Sequence, residues 1–161
     1  MIPSTKAFDL LKSIETLQLK PMLPTPKDRP TIGYGCTTWE DNSPIKLTDK
    51  PITKDRADSL LNHKAQEYIN CVNKIITKPM TQQQFDAFFI MCFNCGVGRI
   101  AIDGFSKPAK VAQYFNNNEL DLLEEWWTKS FITQKGVVLQ GLIDRRNAEW
   151  QIFDKGIYLK W

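Results

Sequence analysis

One acid and one glycine-rich segment are the residues of this chain that could perform chemistry together. Glu15 ends an otherwise apolar helical pattern, and a loop of Pro, Lys, Asp and Arg then leads into Pro30-Thr31-Ile32-Gly33-Tyr34-Gly35. Glycine lets a backbone approach a neighbouring group closely, and a carboxylic acid facing such a strand across a narrow gap is a common way to protonate a glycosidic oxygen. The pair indicates acid catalysis at a glycosidic bond, whereas each half alone fits a polar helix end followed by a hairpin.

The surroundings of Glu15 determine whether it can act as an acid near neutral pH. Apolar helix neighbours such as Leu11 and Ile14 favour a raised pKa, because they remove the carboxylate from water. A nearby arginine would oppose that shift. The sequence leaves the balance between the two effects open.

Other catalytic chemistries have little support in this chain. His63 is the only histidine, and no serine or cysteine motif is directed at it, which argues against a Ser-His or Cys-His nucleophilic enzyme. Cys92 and Cys95 form a C-x-x-C pair, but no second pair and no nearby histidine complete a zinc set. Because the segment around them is apolar nearly all round, we interpret both thiols as buried packing groups, and we expect neither a metal nor a cofactor.

Composition places the chain among ordinary folded proteins. It has 161 residues, of which 42% are hydrophobic and 24% charged, enough for one domain or for two small lobes that share a helix. The net charge of +3 is too weak to indicate a nucleic-acid partner, although it favours approach to an anionic polymer. No segment approaches the roughly 18 apolar residues of a membrane span, and the first residues do not resemble a signal peptide.

Hydrophobic periodicity predicts a mainly helical chain with one small sheet. Thr81 and Gln84 form a capping-box pattern, and the helix that they open is the most apolar in the sequence. A long helix precedes it and is expected to bridge two lobes. The predicted helices cover residues 4–19, about 53–77, the segment after Thr81, 107–116, 119–130 and 140–154, with two or three short strands in 31–47 and a turn at 134–136.

Four blocks in this order resemble the phage-type lysozymes, the endolysins of tailed phages. The resemblance covers residues 7–153 and implies an α+β, mostly α fold: a small N-terminal β-sheet lobe, a connecting helix and a helical C-terminal lobe around a cleft. We expect a single domain over 1–161, with lobes at about 1–52 and 78–161. The blocks are the helix that carries Glu15, Pro30-Thr31-Ile32-Gly33-Tyr34-Gly35, residues 83–96 and residues 141–149.

The resemblance implies a role for several residues. Glu15 matches the general acid, and Thr31 matches the threonine that helps to hold the attacking water. Asn94 matches a polar cleft residue, and one of Arg145 and Arg146 is expected behind the glutamate. The family cleaves the β-1,4 bond between N-acetylmuramic acid and N-acetylglucosamine in peptidoglycan. From its residue type alone, Tyr34 could stack on a sugar ring, as could Trp39, Trp126 and Trp127, with core packing as the alternative.

The sequence departs from the family pattern at three places. Thr16 replaces the glycine that usually follows the glutamate, and Cys36 replaces a histidine after Gly-Tyr-Gly, so the ion pair of that histidine is lost. The second carboxylate is also missing. Counting forward from Glu15 reaches Pro24, and counting back from Thr31 reaches Thr25, because the loop has one extra residue. Asp28 is the only acid of that loop, and as a turn residue it needs no catalytic role.

Three functions remain open at this point. The first is a muramidase with Glu15 as its acid and with Thr25 or Asp28 at the position of the second carboxylate. The second is a lysozyme-like protein that binds peptidoglycan without cutting it, and the third is a lytic transglycosylase, for which one glutamate suffices. The expected partner is bacterial peptidoglycan, with no nucleic acid and no membrane insertion. By family likeness we expect a monomer that is held in the host cytoplasm before release and then acts on the cell wall.

Overall fold

A computed structural model describes all 161 residues and contains six α-helices and three pairs of short antiparallel strands. This confirms the predicted α+β, mostly α class. No helix is both long and apolar enough to cross a membrane. The helices are α1 (Thr5–Ile14), α2 (Lys54–Ile75), α3 (Gln82–Cys95), α4 (Lys110–Asn116), α5 (Leu120–Lys129) and α6 (Gln140–Lys155), with a short 3-10 helix at Val97–Arg99. The strands are β1 (Gln18–Met22), β2 (Thr31–Gly33), β3 (Ala101–Ile102), β4 (Lys107–Pro108), β5 (Thr133–Gln134) and β6 (Val137–Val138).

The chain divides into two compact units. One consists of Leu11–Glu67, and the other combines Met1–Leu10 with Tyr68–Trp161. We call them the small unit and the large unit. The division into lobes that the sequence predicts, at residues 52 and 78, stays a prediction.

The small unit corrects two sequence predictions. Helix α1 ends at Ile14 instead of residue 19, and Gln18–Met22 forms a strand that pairs with Thr31–Gly33. Beyond residue 33 the predicted sheet is reduced to isolated bridges, Ile32 with Cys36 and Thr38 with Pro44. The apolar period extends to Leu17 and hides the end of the helix, because a strand pairing with a distant segment leaves no local period.

A tight hairpin at Gly33–Gly35 closes this sheet. Ile32 and Cys36 exchange two backbone hydrogen bonds of 3.0 Å across the turn. Gly33 has a φ of +64°, and a Cβ there would lie 3.5 Å from the Cβ of Ala57 on α2. The strand therefore passes close to the helix at a position where glycine is favoured for its backbone conformation. Ile32 and Cys36 pack beneath the hairpin with Ile45 and Leu60.

The large unit is built around α3, as the sequence predicts. The Oγ1 of Thr81 accepts from the N–H of Gln84, whose side chain accepts from the Thr81 N–H, so the capping box is confirmed. Every α3 residue from Phe85 to Cys92 is buried. Phe88 packs on Trp127 and Phe153 with ring centroids 5.1 and 5.9 Å apart. These aromatic rings join α3 to α5 and α6 and form the centre of the core.

The start of α1 is anchored within the large unit by a buried carboxylate. Asp86 is fully buried on α3 and accepts from the N–H and hydroxyl of Ser4 at 2.9 and 2.5 Å. It also accepts from Gln82 and from the hydroxyl of Tyr158. Ser4 is the predicted N-cap of α1, and its Oγ accepts from the N–H of Ala7. Four donors compensate for the burial of this charge, which carries no ion pair.

Candidate active site

Glu15 lies at the C-terminal end of α1, at the edge of a cavity in the small unit. Its N–H bonds the carbonyl of Leu11 at 2.9 Å, so the residue continues the helical turn, and its side chain is half-buried. The cavity has a volume of about 400 Å³. It is lined by Ile14, Glu15, Thr16, Gln18, Met22, Pro24, Thr31 and Gly35. The helix end supplies the acid, and the two-stranded sheet supplies much of the wall that faces it.

The glycine hairpin approaches the carboxylate of Glu15, as the sequence predicts. A Cβ built on Gly35 would lie 3.7 Å from Glu15 Oε2, and Gly35 has a φ of +81°. There is room for a methyl group at this distance, but the backbone conformation is one that side chains rarely adopt. Glycine is therefore required here mainly for the turn, and the turn brings backbone close to the acid.

Thr31 opens β2 and lines the same cavity. Its hydroxyl donates to the carbonyl of Met22 at 3.5 Å, across the register in which Met22 pairs with Thr31. This hydrogen bond is long and therefore weak, so it constrains the orientation of the hydroxyl only slightly. The lone pairs of the hydroxyl oxygen can accept from a water molecule in the cavity.

Neither Thr25 nor Asp28 lines the cavity, although both were candidates for the missing carboxylate. Both are exposed, and the N–H of Asp28 bonds the carbonyl of Thr25 at 3.0 Å, which makes them the two ends of a β-turn. Pro24 lines the cavity instead. This is the position that counting forward from Glu15 reaches. A catalytic role for either Thr25 or Asp28 stays a prediction.

Tyr34 occupies the core of the small unit. It is 3% exposed, and its hydroxyl bonds the carboxylate of Asp58. Burial first and Asp58 second raise the pKa of Tyr34. Lys12 pairs with Asp58 at 2.9 Å and lies 5.9 Å from the centre of the Tyr34 ring. This burial favours packing over sugar stacking for Tyr34.

Asn94 and Arg146 belong to a polar cluster of the large unit. Arg146 is fully buried, and its Nη2 donates to Asn94 Oδ1 and to Glu149 Oε1, each at 2.6 Å. Trp127 donates from Nε1 to Glu149 Oε2 at 3.1 Å. Burial raises the pKa of Glu149, while Arg146 and Trp127 oppose the shift. Neither Glu149 nor Trp127 is predicted from the sequence as a partner of this cluster, although the i, i+3 spacing of Arg146 and Glu149 on a helix is a usable signal.

Cys95 is a partner of this cluster and not simply a packing group. Arg146 Nη1 donates to its sulfur at 2.7 Å, and burial raises the pKa of the thiol although Arg146 opposes the shift. Cys92 is fully buried, as predicted, and all four cysteines are free thiols. A second cavity, of about 600 Å³, is lined by Asn94, Cys95, Arg99, Phe131, Thr133, Gln134 and Leu142. Asn94 is exposed here and can contact a ligand.

Arg145 and the three tryptophans proposed to stack on sugars each pack against other groups of the protein. Arg145 is half-buried, and its guanidinium lies 5.0 Å from the centre of the Trp161 ring. Trp127 is fully buried in the core, so it packs and does not stack on a ligand. Trp126 is half-buried against Phe131 at 5.2 Å, and the Nε1 of Trp39 donates to Asp49 at 3.0 Å.

A glutamate at a helix end, a threonine and a glycine hairpin around one cavity are the arrangement expected of a lysozyme-type protein. A sequence model of the family described as "Phage lysozyme" matches residues 12–149. The chain therefore belongs to the phage lysozyme family.

Relatives and a solved structure agree with this assignment. The chain is 32% identical over 157 residues to an endolysin of Bacillus phage PZA, with 95% of this chain and 55% of the relative covered. It is 30% identical over 151 residues to an endolysin of Acyrthosiphon pisum secondary endosymbiont phage 1, with 94% and 97% covered. The structure of an endolysin from Escherichia coli O157:H7 phage FAHEc1 superposes with a TM-score of 0.80 at 29% identity, covering 99% of this chain and 98% of the other.

The relatives differ in length. The chain spans about half the length of the Bacillus phage endolysins that it matches, but nearly all of the endosymbiont phage endolysin.

Proposed function

We propose that this protein is a peptidoglycan hydrolase, a muramidase that cleaves the β-1,4 bond between N-acetylmuramic acid and N-acetylglucosamine with Glu15 as general acid. The observation that carries the proposal is the cavity that brings Glu15, Thr31 and Gly35 together at the end of α1. Membership of the phage lysozyme family supports the substrate class.

The chemistry follows from a single acid. Protonated Glu15 gives its proton to the glycosidic oxygen, the bond from that oxygen to C1 breaks, and the leaving sugar departs as an alcohol. A water molecule held by Thr31 forms the new bond to C1 and loses a proton to solvent, and solvent reprotonates Glu15. The products are one reducing end and one free hydroxyl, so atoms and protons balance.

Glu15→Gln tests the assignment of the acid. We expect the variant to lose cell-wall lysis by roughly 100-fold or more, because an amide cannot donate the catalytic proton. Turbidity loss of purified cell walls measures the rate, and circular dichroism checks the fold. The matched control is Glu67→Gln, an exposed glutamate of the same unit, which should lyse at the wild-type rate. Full activity in Glu15→Gln would remove Glu15 from the mechanism.

A lytic transglycosylase is the second candidate, because the cavity holds only one carboxylate. In that reaction a hydroxyl of the substrate attacks C1, so no water is consumed and the product is a 1,6-anhydro sugar. We expect free reducing ends instead, since Thr31 can hold a water molecule. Mass spectrometry of the soluble muropeptides distinguishes the two, and products dominated by anhydro ends would establish the transglycosylase.

The remaining expectations concern binding and location. We propose that Asn94, Arg145 and Arg146 bind or support the glycan strand, that the protein acts as a monomer, and that it accumulates in the host cytoplasm before release to the wall. The exposed side of Asn94 supports the first point. Walls that sediment with the protein but are not degraded would instead support a binding protein.

A further inference from the structure

The Glu15 cavity contains two polar side chains that have no role so far, the exposed Thr16 and the half-buried Gln18. Four of its eight lining residues are polar: Glu15, Thr16, Gln18 and Thr31. Glu15 is the only carboxylate among them, and Pro24 offers no hydrogen-bonding side chain. Whatever orients the attacking water together with Thr31 must therefore be a neutral group.

Gln18 is placed for this purpose by β1. It opens the strand and pairs with Gly33, and the carbonyl of the next residue, Leu19, accepts from the N–H of Ile52 at 2.8 Å. The backbone of Gln18 and Leu19 is thus held by two other segments. The side chain is half-buried and lines the cavity beside Glu15 and Thr31. A half-buried amide at a cavity wall can donate two hydrogen bonds and accept two.

We propose that Gln18 orients the attacking water, in the place of the missing second carboxylate. This inference rests on the proposed hydrolase function. The side-chain oxygen of Gln18 accepts one hydrogen bond from the water, and Thr31 contacts the same molecule, which fixes its lone pair toward C1. The water oxygen bonds to C1 as the leaving oxygen takes the proton of Glu15, and the surplus proton passes to solvent, so Gln18 neither gains nor loses a proton.

An amide at this position has a further electrostatic consequence. A second carboxylate in the cavity would disfavour ionisation of Glu15 and move its pKa upward. Neutral Gln18 leaves the charge of the site to Glu15 alone. The Gln18 amide is a weaker base than a carboxylate, but with it Glu15 is the only titrating group that lines the cavity.

The first test removes the amide. We expect Gln18→Ala to lower kcat for wall lysis about tenfold, the value of one neutral hydrogen bond, with little change in KM. Lys20→Ala is the control, because Lys20 is exposed in the same strand and does not line the cavity. It should match the wild type in rate and in melting temperature.

The second test uses the pH profile, which a purely structural role would not move. Gln18→Glu keeps the size of the side chain and adds a carboxylate, so we expect at least wild-type kcat and an alkaline limb shifted to higher pH. Unchanged kcat in Gln18→Ala, or a change confined to KM, would overturn the inference. Glu15→Gln still tests the proposed function separately. Absence of any lysis by the wild type would overturn both.

Discussion

The loop between β1 and β2 determines which residue could supply a second acid. Pro24 lines the Glu15 cavity, whereas Thr25 and Asp28 form the ends of an exposed turn. The sequence alone favours Thr25 by counting back from Thr31. The structure favours Pro24, because it is the one of these three residues that lines the cavity.

Asp28→Asn is expected to change the lysis rate little, since aspartate and asparagine are nearly interchangeable in a turn. A new acid should raise the rate, because a carboxylate orients water and stabilises positive charge on the sugar better than a neutral group. Thr25→Asp tests the sequence prediction, and we expect Pro24→Asp to raise the rate more. Turbidity assays compare the three variants. A loss of about tenfold or more in Asp28→Asn, at unchanged melting temperature, would instead place the acid at Asp28.

Helix α2 is joined to the segment after the hairpin by an ion pair. Arg56 donates to both carboxylate oxygens of Glu40, at 2.5 and 2.8 Å, and its guanidinium lies 5.5 Å from the centre of the Trp39 ring. The hydrogen bonds from Arg56 are the main reason that the pKa of Glu40 falls to about 2. A bidentate pair of this kind is stronger than most surface pairs.

The lowered pKa predicts how acid affects stability. A carboxyl group whose pKa is lower in the folded than in the unfolded protein stabilises the fold above its ordinary pKa of 4.5, and this stabilisation is lost as pH falls toward 2. Because both side chains are partly exposed, we expect at most about 1 kcal/mol. Urea unfolding of wild type and Glu40→Gln at pH 6 and pH 3 measures it. The stability difference between the two proteins should be smaller at pH 3, and an equal difference would contradict the assignment.

Across the whole molecule, the costliest single change is expected at the buried pair of α6. Glu149 and Arg146 are both fully buried, and Glu149 is joined to Arg146 and to Trp127. Glu149→Gln would leave the Arg146 charge buried without its counter-ion, which typically costs about 3 to 5 kcal/mol. Urea unfolding should show this loss. The exposed pair of Glu125 and Lys129 provides the control, since Glu125→Gln should cost less than about 0.5 kcal/mol.

The sequence by itself determined the features that depend on near neighbours in the chain. The capping box at Thr81, the helical periods of α2, α3, α5 and α6 and the end of α6 before Gly156 are local, and the structure confirms them. Helix α4 begins at Lys110 instead of residue 107, because Lys107–Pro108 pairs with Ala101–Ile102 as a strand. The position of Glu15 at a helix end before a glycine hairpin is local as well. Family resemblance then supplied the fold, because the spacing of four blocks depends on the whole chain.

Tertiary structure alone decided what depends on segments that are far apart. The pairing of β1 with β2 ended α1 early, and it set Pro24 and Gln18 into the wall of the Glu15 cavity. Tyr34 is buried in the small unit and bonds Asp58 of α2, a residue far from it in the chain. None of these contacts leaves a period or a motif in the sequence, since each is selected by packing and by the compensation of buried polar groups.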